Sequence, residues 1–240
     1  MIGQKPVPIA EFEASLEMMR ELMNGRRTSW NEKEIELAWA RSLPRIPIYV
    51  AAYGPRALGV AGRVGDGVII QLADPVIVRW IMDQARVAAA DAGRDPDSLD
   101  FVVCAPSHVS DDLAEARDEV RWFPAMVSNH VLDMIRAHGE EADLPVELTE
   151  YVKARTSYDY SEHSRVGARH GEWVTDEICD RFCVIGSSEQ VMQKLRELES
   201  LGVSQWNIYL MTDGQEQTLE SYGREIIPRL RASSAGRMDA

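Results

Sequence analysis

The chain is poor in cysteine: Cys104, Cys179 and Cys183 are its only three in 240 residues. A sparse, odd-numbered set does not build a disulfide framework. Positive charge is also short, with 26 Lys and Arg against 39 Asp and Glu and a formal charge of −13. That balance argues against a nucleic-acid or anionic-membrane surface. No apolar run approaches the length that crosses a bilayer, and the opening MIGQKPVPIAEFEA has no signal-peptide apolar core. A cytoplasmic protein is expected. Reaction signatures are missing as well. There is no G-x-S-x-G, G-x-G-x-x-G or P-loop pattern, so nothing supports hydrolysis. Internal repeats and low-complexity tracts are also lacking.

What is present centres on residues 46–70, IPIYVAAYGPRALGVAGRVGDGVII. A short apolar run (Ile48 to Ala52) breaks at Gly54-Pro55. About ten helix-compatible residues follow, then Gly65-Asp66-Gly67 and a second apolar run from Val68 to Ile70. This is the pattern of a βαβ unit. The runs are apolar throughout rather than alternating, which suits a parallel sheet covered on both faces. Pro55 suits the first helical position, where its missing N–H would be unsatisfied anyway. Gly54 lets a backbone approach a ligand closely, and the free N–H groups of the following turn are suited to a phosphate.

Taken in order, residues 9–24 carry Ile9, Phe12, Leu16, Met19, Leu22 and Met23 at amphipathic helical spacing, ended by Asn24-Gly25. Residues 26–46 are mixed. After Ile70, Asp74 is expected to cap a helix that starts at Pro75. Residues 101–105 predict a third strand, ended by Pro106-Ser107-His108. Ser110-Asp111-Asp112 then starts a helical region running toward His138-Gly139, interrupted near Pro124. Residues 139–180 turn polar and irregular, and are expected to be an insertion of the lid or binding-loop kind. Ser187 with Gln190 predicts a capping box for a helix that stops at Gly202. A fourth strand spans Gln205 to Met211. The last helix is expected to end at Pro228, with residues 232–240 a disordered tail. One domain, residues 1–231, is the expected organisation.

The stretch PIYVAAYGPRALGVAGRVGDGVI resembles the fifth-strand segment of the luciferase-like monooxygenase superfamily, in particular its deazaflavin- and flavin-dependent oxidoreductases. RFCVIGSSEQVMQKLRELESLGVSQWNIYLM is similar to the family segment leading into the eighth strand, and YGREIIPRL to the last helix. The resemblance extends over residues 5–231. It implies an α/β fold of the (β/α)8 TIM-barrel type, with this chain supplying strands five to eight and an insertion before the last one. A closed barrel needs eight strands, and only four are expected here. The resemblance therefore implies a partial barrel whose open edges need covering, by a second copy or by a complementing chain.

Parallel barrels place their sites at the C-terminal ends of the strands. In the family, the turn matching Ala52, Tyr53, Gly54, Pro55 and Arg56 cradles the phosphate-bearing tail of the cofactor, and Gln71 matches a contact to its ring system. The implied activity is hydride transfer between coenzyme F420 (a deazaflavin) and a small organic substrate. A monooxygenase using flavin mononucleotide (FMN) is the alternative within the family. A non-catalytic half barrel that needs a partner chain is the alternative outside it. The preference for F420 rests on AAYGPRAL and AGRVGDGVI, as in methylenetetrahydromethanopterin-reductase-like proteins. Family acid–base residues come largely from the first half of the barrel, so no catalytic residue is assigned.

Among the histidines, His108 is the best placed, at a strand end. His130 and His138 lie in a helical region and read as surface or packing residues. His163 sits with Tyr158, Asp159, Tyr160 and Glu162 in the insertion, a group that suits either a substrate entrance or an ordinary solvated loop. Cys179 and Cys183 are four apart but have no matching second pair or closely spaced histidine. They read as buried thiols rather than metal ligands.

Overall fold

A computed structural model describes residues 7–129, 159–163 and 165–238. The chain divides into two compact units, residues 1–69 with 81–101 and residues 70–80 with 102–240. No helix among the described residues is long and apolar enough to cross a membrane.

In the first unit, α1 (Ile9–Met23) matches the expected amphipathic segment, and the backbone N–H of Asn24 closes it onto the Arg20 carbonyl. The mixed stretch that follows holds an antiparallel hairpin, β1 (Thr28–Trp30) with β2 (Lys33–Ile35). Its two turn residues, Asn31 and Glu32, both have positive φ, +50° and +62°. That is the geometry a two-residue hairpin demands. Asn tolerates it and Glu does not, which is why the sequence gives no clear hairpin signal.

The βαβ unit forms as expected. Strand β3 (Tyr49–Ala51) pairs in parallel with β4 (Gly67–Ile70), in register Tyr49↔Gly67 to Ala51↔Ile69. The two are joined by α2 (Pro55–Val64), which buries Leu58, Val60, Ala61, Gly62 and Val64. Asp66 fastens the entry to β3, accepting from the Ile48 N–H at 2.7 Å and from the Arg45 guanidinium. Helix α1 is pinned to α2 by a two-pronged ion pair, Arg63 Nε and Nη2 to Glu13 at 2.6 and 2.7 Å.

That hydrogen bond holds the Glu13 carboxyl below its usual pKa, outweighing the opposing effect of burial. A depressed folded pKa stabilises the fold above the ordinary glutamate value of about 4.3. The contribution is lost as pH falls through the folded value. Glu13→Gln is therefore expected to flatten the loss of stability on acidification. Urea midpoints measured from about pH 6 down to about pH 3 check this. An acid limb as steep as that of the unaltered chain would remove the pair from the account.

In the second unit, β5 (Asp100–Val109) pairs in parallel with β7 (Gln205–Tyr209) through Val102↔Gln205 to Pro106↔Tyr209. From Ser107 onward it pairs instead with β6 (Val184–Gly186). The strand was expected to end at Pro106, and it does not. Pro106 has no N–H to give, but it stands where pairing passes from one neighbour to the next, so the missing donor interrupts little. The three-residue β6 escaped the sequence reading because it is too short to show a period. The fourth strand stops at Tyr209, two residues before its expected end.

Asp74 caps α3 (Pro75–Asp91) as anticipated, its Oδ1 accepting from the N–H groups of Val76 and Ile77 at 3.0 and 2.9 Å. Asp112 does the same for α4 (Leu113–Val120). The helical region is interrupted near Pro124 as expected: α4 ends at Val120, Arg121 is a turn, and residues 122–129 are helical again, with Pro124 in their first turn. His130, His138, Tyr158 and half of the expected insertion lie outside the described residues. The part that is described holds short helical turns at Tyr160–Glu162 and Arg169–Gly171, then α5 (Asp176–Phe182).

The capping box of α6 (Ser188–Leu201) is present with both reciprocal bonds, and Gly202 closes the helix at φ +101°. Helix α7 (Gln215–Ser221) continues through a π-turn, Tyr222–Ile226, into α8 (Ile227–Met238). Pro228 therefore does not end the last helix. It falls just after the π-turn, where the regular hydrogen-bond ladder is already displaced. The helix also takes in residues 232–238, which were expected to be a disordered tail.

Candidate functional site

In the first unit the candidate is the turn from β3 into α2. Ala52 is buried, Tyr53, Gly54 and Pro55 are half-buried, and Arg56 is exposed. Gly54 is the N-cap of α2 in an extended conformation, and no side chain caps this helix end. Pro55 has no N–H, and the Leu58 N–H is taken by the Gly54 carbonyl at 2.9 Å. The donors of Arg56 and Ala57 are the ones left facing outward, at the positive end of the helix dipole. The Arg56 guanidinium makes no ion pair among the described residues. An uncapped N-terminus with an arginine beside it has the donor set a phosphate requires.

In the second unit a polar cluster gathers at β5 and β7. Strand alternation places Gln205, Asn207 and Tyr209 on one face of β7 and Trp206 and Ile208 on the other. On the first face, Gln71 donates to the Tyr209 hydroxyl at 2.9 Å. Cys104, opposite Asn207 in register, lies within hydrogen-bond reach of both Asn207 and Tyr209. Burial pushes the Tyr209 phenol and the Cys104 thiol upward, so both stay protonated at neutral pH. Gln71 was singled out from sequence, but its partners were not. The period-two pattern of Gln205, Asn207 and Tyr209 was the signal available.

On the other face of β7 an apolar groove of about 330 Å³ is lined by Leu195, Leu198, Trp206, Ile208, Tyr222 and Leu230. The Tyr222 hydroxyl is held there by Trp206 Nε1 at 3.1 Å and by Ser107 Oγ at 2.9 Å.

The stretch after Gln71 is anchored by charge. Asp74 is 1% exposed, and its second oxygen accepts from Arg181 Nε at 2.6 Å. Lys194 donates to the Asp180 and Arg181 carbonyls at the end of α5, at 3.4 and 3.1 Å. Burial lowers the Lys194 pKa, and the Asp74 carboxylate works against that shift.

Beyond these, His108 is 4% exposed near the end of β5 and Thr212 is 2% exposed just past β7. The three cysteines are free and buried, which was expected of Cys179 and Cys183. Burial raises the Cys179 thiol to about 12 and Cys183 well above its usual range, which makes both inert as nucleophiles. His163 is exposed, and the group expected around it is not assembled into a site by the described residues.

Comparison with known proteins follows the same lines. The family model described as luciferase-like monooxygenase matches residues 3–205. The 5,10-methylenetetrahydromethanopterin reductase of Archaeoglobus fulgidus is 26% identical over 230 residues, covering 93% of this chain and 67% of the relative. The enzyme of the same name from Methanolobus tindarius is 27% identical over 225 residues, covering 92% and 66%. Among solved structures, the coenzyme F420 dependent tetrahydromethanopterin reductase from Methanopyrus kandleri superposes with a TM-score of 0.66 at 20% identity, over 94% of this chain and 65% of that one. That likeness shows a shared parallel α/β fold of the TIM-barrel type. The chain spans about two thirds of the length of these relatives.

Proposed function

Because the chain belongs to the luciferase-like monooxygenase family, we propose that it is an oxidoreductase using coenzyme F420 to exchange a hydride with a small organic substrate. The observation that carries this reading is the uncapped start of α2, with Gly54 extended, Pro55 at the first helical position and Arg56 exposed beside it. The reductases named above support the choice of cofactor, and FMN is the alternative.

Bound, the deazaflavin would supply two-electron hydride chemistry that no side chain here provides. The chain's own contribution is holding and orienting. The N–H groups of Arg56 and Ala57 would bind a phosphate oxygen of the cofactor tail, and the Arg56 guanidinium would add a charge-assisted bond. Ala52, Tyr53, Gly54 and Pro55 shape that turn. Gln71 is assigned to the ring system, with the Tyr209 hydroxyl setting the direction of its amide.

Arg56→Ala is expected to weaken F420 binding by about 1–3 kcal/mol, roughly tenfold or more. Quenching of the deazaflavin fluorescence on titration measures it. An unchanged affinity would take Arg56 out of the site, and a parallel titration with FMN decides between the cofactors.

A second reading is a half barrel completed by another chain or another copy. Among the described residues β3 pairs only with β4 and β7 only with β5, and strand edges left bare invite pairing. The mass in solution tests it, since a folded monomer that binds cofactor would rule it out.

A further inference from the structure

We propose that His108 and Thr212 form a binding site for a neutral oxygen-bearing group, the hydroxyl or carbonyl of a small organic molecule. Strand register places the histidine. Cys104, Pro106 and His108 lie two apart on β5, and Cys104 faces Asn207 and Tyr209. His108 is therefore on that same polar face, toward the C-terminal end of the strand where parallel α/β folds bind ligands.

The residue is 4% exposed, yet Nδ1 has no hydrogen-bond partner among the described residues. Thr212, three residues past the end of β7, is in the same state: 2% exposed, with Oγ1 unpartnered among the described residues. More than nine in ten buried polar groups are paired, because leaving one bare forfeits its hydration without return. Two such groups at neighbouring strand ends point to a ligand that the pair is built to receive.

The turn after Thr212 is shaped around the ring. A Cβ on Gly214 would stand 2.6 Å from His108 Cε1, 3.3 Å from Nδ1 and 3.5 Å from Nε2. Gly214 has φ −87°, which any residue adopts, so glycine is required here for space and not for backbone freedom. The turn is held by the Asp213 N–H donating to Glu119 Oε2 at 2.7 Å and by the Val109 N–H donating to Thr218 Oγ1 at 3.3 Å.

The donor set selects the ligand. An imidazole nitrogen and a hydroxyl can each donate or accept, which matches an alcohol or a ketone oxygen. The charges held at this turn are the carboxylates of Asp213 and Glu119, which disfavour an anion. None of the residues assigned to the cofactor takes part, so the site stands or falls apart from that assignment.

The test uses the full chain labelled with ¹⁵N-histidine, without coenzyme. The His108 signals, among five histidines, are assigned with His108→Gln. Titration with 2-propanol and with acetone should shift the His108 Nδ1 resonance saturably with at least one of the two. Thr212→Val should weaken that binding roughly fivefold to tenfold. Its thermal midpoint should stay the same or rise, because the hydroxyl it removes bonds nothing in the free protein. Gly214→Ala, which crowds the ring, should abolish the response.

Three outcomes would each overturn the proposal. One is the absence of a saturable shift with either probe. Another is binding that Thr212→Val leaves unchanged. The third is a clear fall in the thermal midpoint of Thr212→Val, which would mean that the hydroxyl is already satisfied by a permanent internal water. F420 titration run in parallel reports on the cofactor reading independently.

Discussion

Replacing Asp74 by alanine is expected to cost about 3 kcal/mol of stability. The carboxylate does two things at once while 1% exposed. One oxygen accepts from the first free N–H groups of α3, and the other from Arg181 Nε at 2.6 Å. Alanine leaves Val76 and Ile77 uncapped, a loss of about 1 kcal/mol. It also strips Arg181 of this carboxylate in a setting only partly open to water. Breaking a fully buried pair costs about 3–5 kcal/mol. The Arg181 side chain is 27% exposed, so water recovers some of that and the ion-pair share is smaller. Asp74→Asn should keep the cap and lose the charge, at roughly half the cost. Urea unfolding of the two variants separates the contributions. A loss below about 1 kcal/mol for the alanine variant would show that the pair contributes little beyond its own desolvation.

Gly62→Ala is expected to destabilise the first unit by about 2–3 kcal/mol. The intrinsic preference runs the other way, since alanine in a helix interior is better than glycine by about 0.5–1 kcal/mol. Space decides against it. A Cβ at Gly62 would fall on the Ala85 carbonyl oxygen, 2.9 Å from Ala88 Cβ and 3.0 Å from the Ala89 nitrogen. Two of these three are backbone atoms of α3 and cannot rotate aside. The Gly62 carbonyl is further tied to Arg94 Nη1 at 2.5 Å. Gly59, three residues earlier on the same helix, is the control. There a Cβ would meet only Arg63 Nη1 at 3.1 Å, the far end of a flexible side chain. Gly59→Ala should be neutral or slightly stabilising. If both substitutions behave alike in urea unfolding, close packing of α2 on α3 is not what requires glycine at position 62.

Asp74 and Pro75 were readable as a helix start because capping is local chemistry, decided within four residues. The ion pair with Arg181 was not, since 107 residues separate the two. Gln71 was legible as a strand-end polar residue, while its bond to Tyr209 spans 138 residues. The hairpin at 28–35 was missed because Glu32 adopts a backbone conformation its side chain disfavours. The early stop assigned at Pro106 and the stop at Pro228 failed for a common reason. Both took proline's missing N–H as an obligatory break, and both prolines sit where the regular ladder already shifts, at a change of strand partner and after a π-turn.

By itself the sequence determined the βαβ unit at 46–70, the capped starts of the helices at Pro75 and Ser188, and the turn that suits a phosphate. These follow from apolar periodicity and from residues whose φ, donors or acceptors act on near neighbours. Only the tertiary structure decided which polar groups meet across β5 and β7, and that His108 Nδ1 and Thr212 Oγ1 are buried without partners among the described residues. Burial and hydrogen-bond satisfaction are properties of surfaces brought together from distant parts of the chain, and no local pattern encodes them.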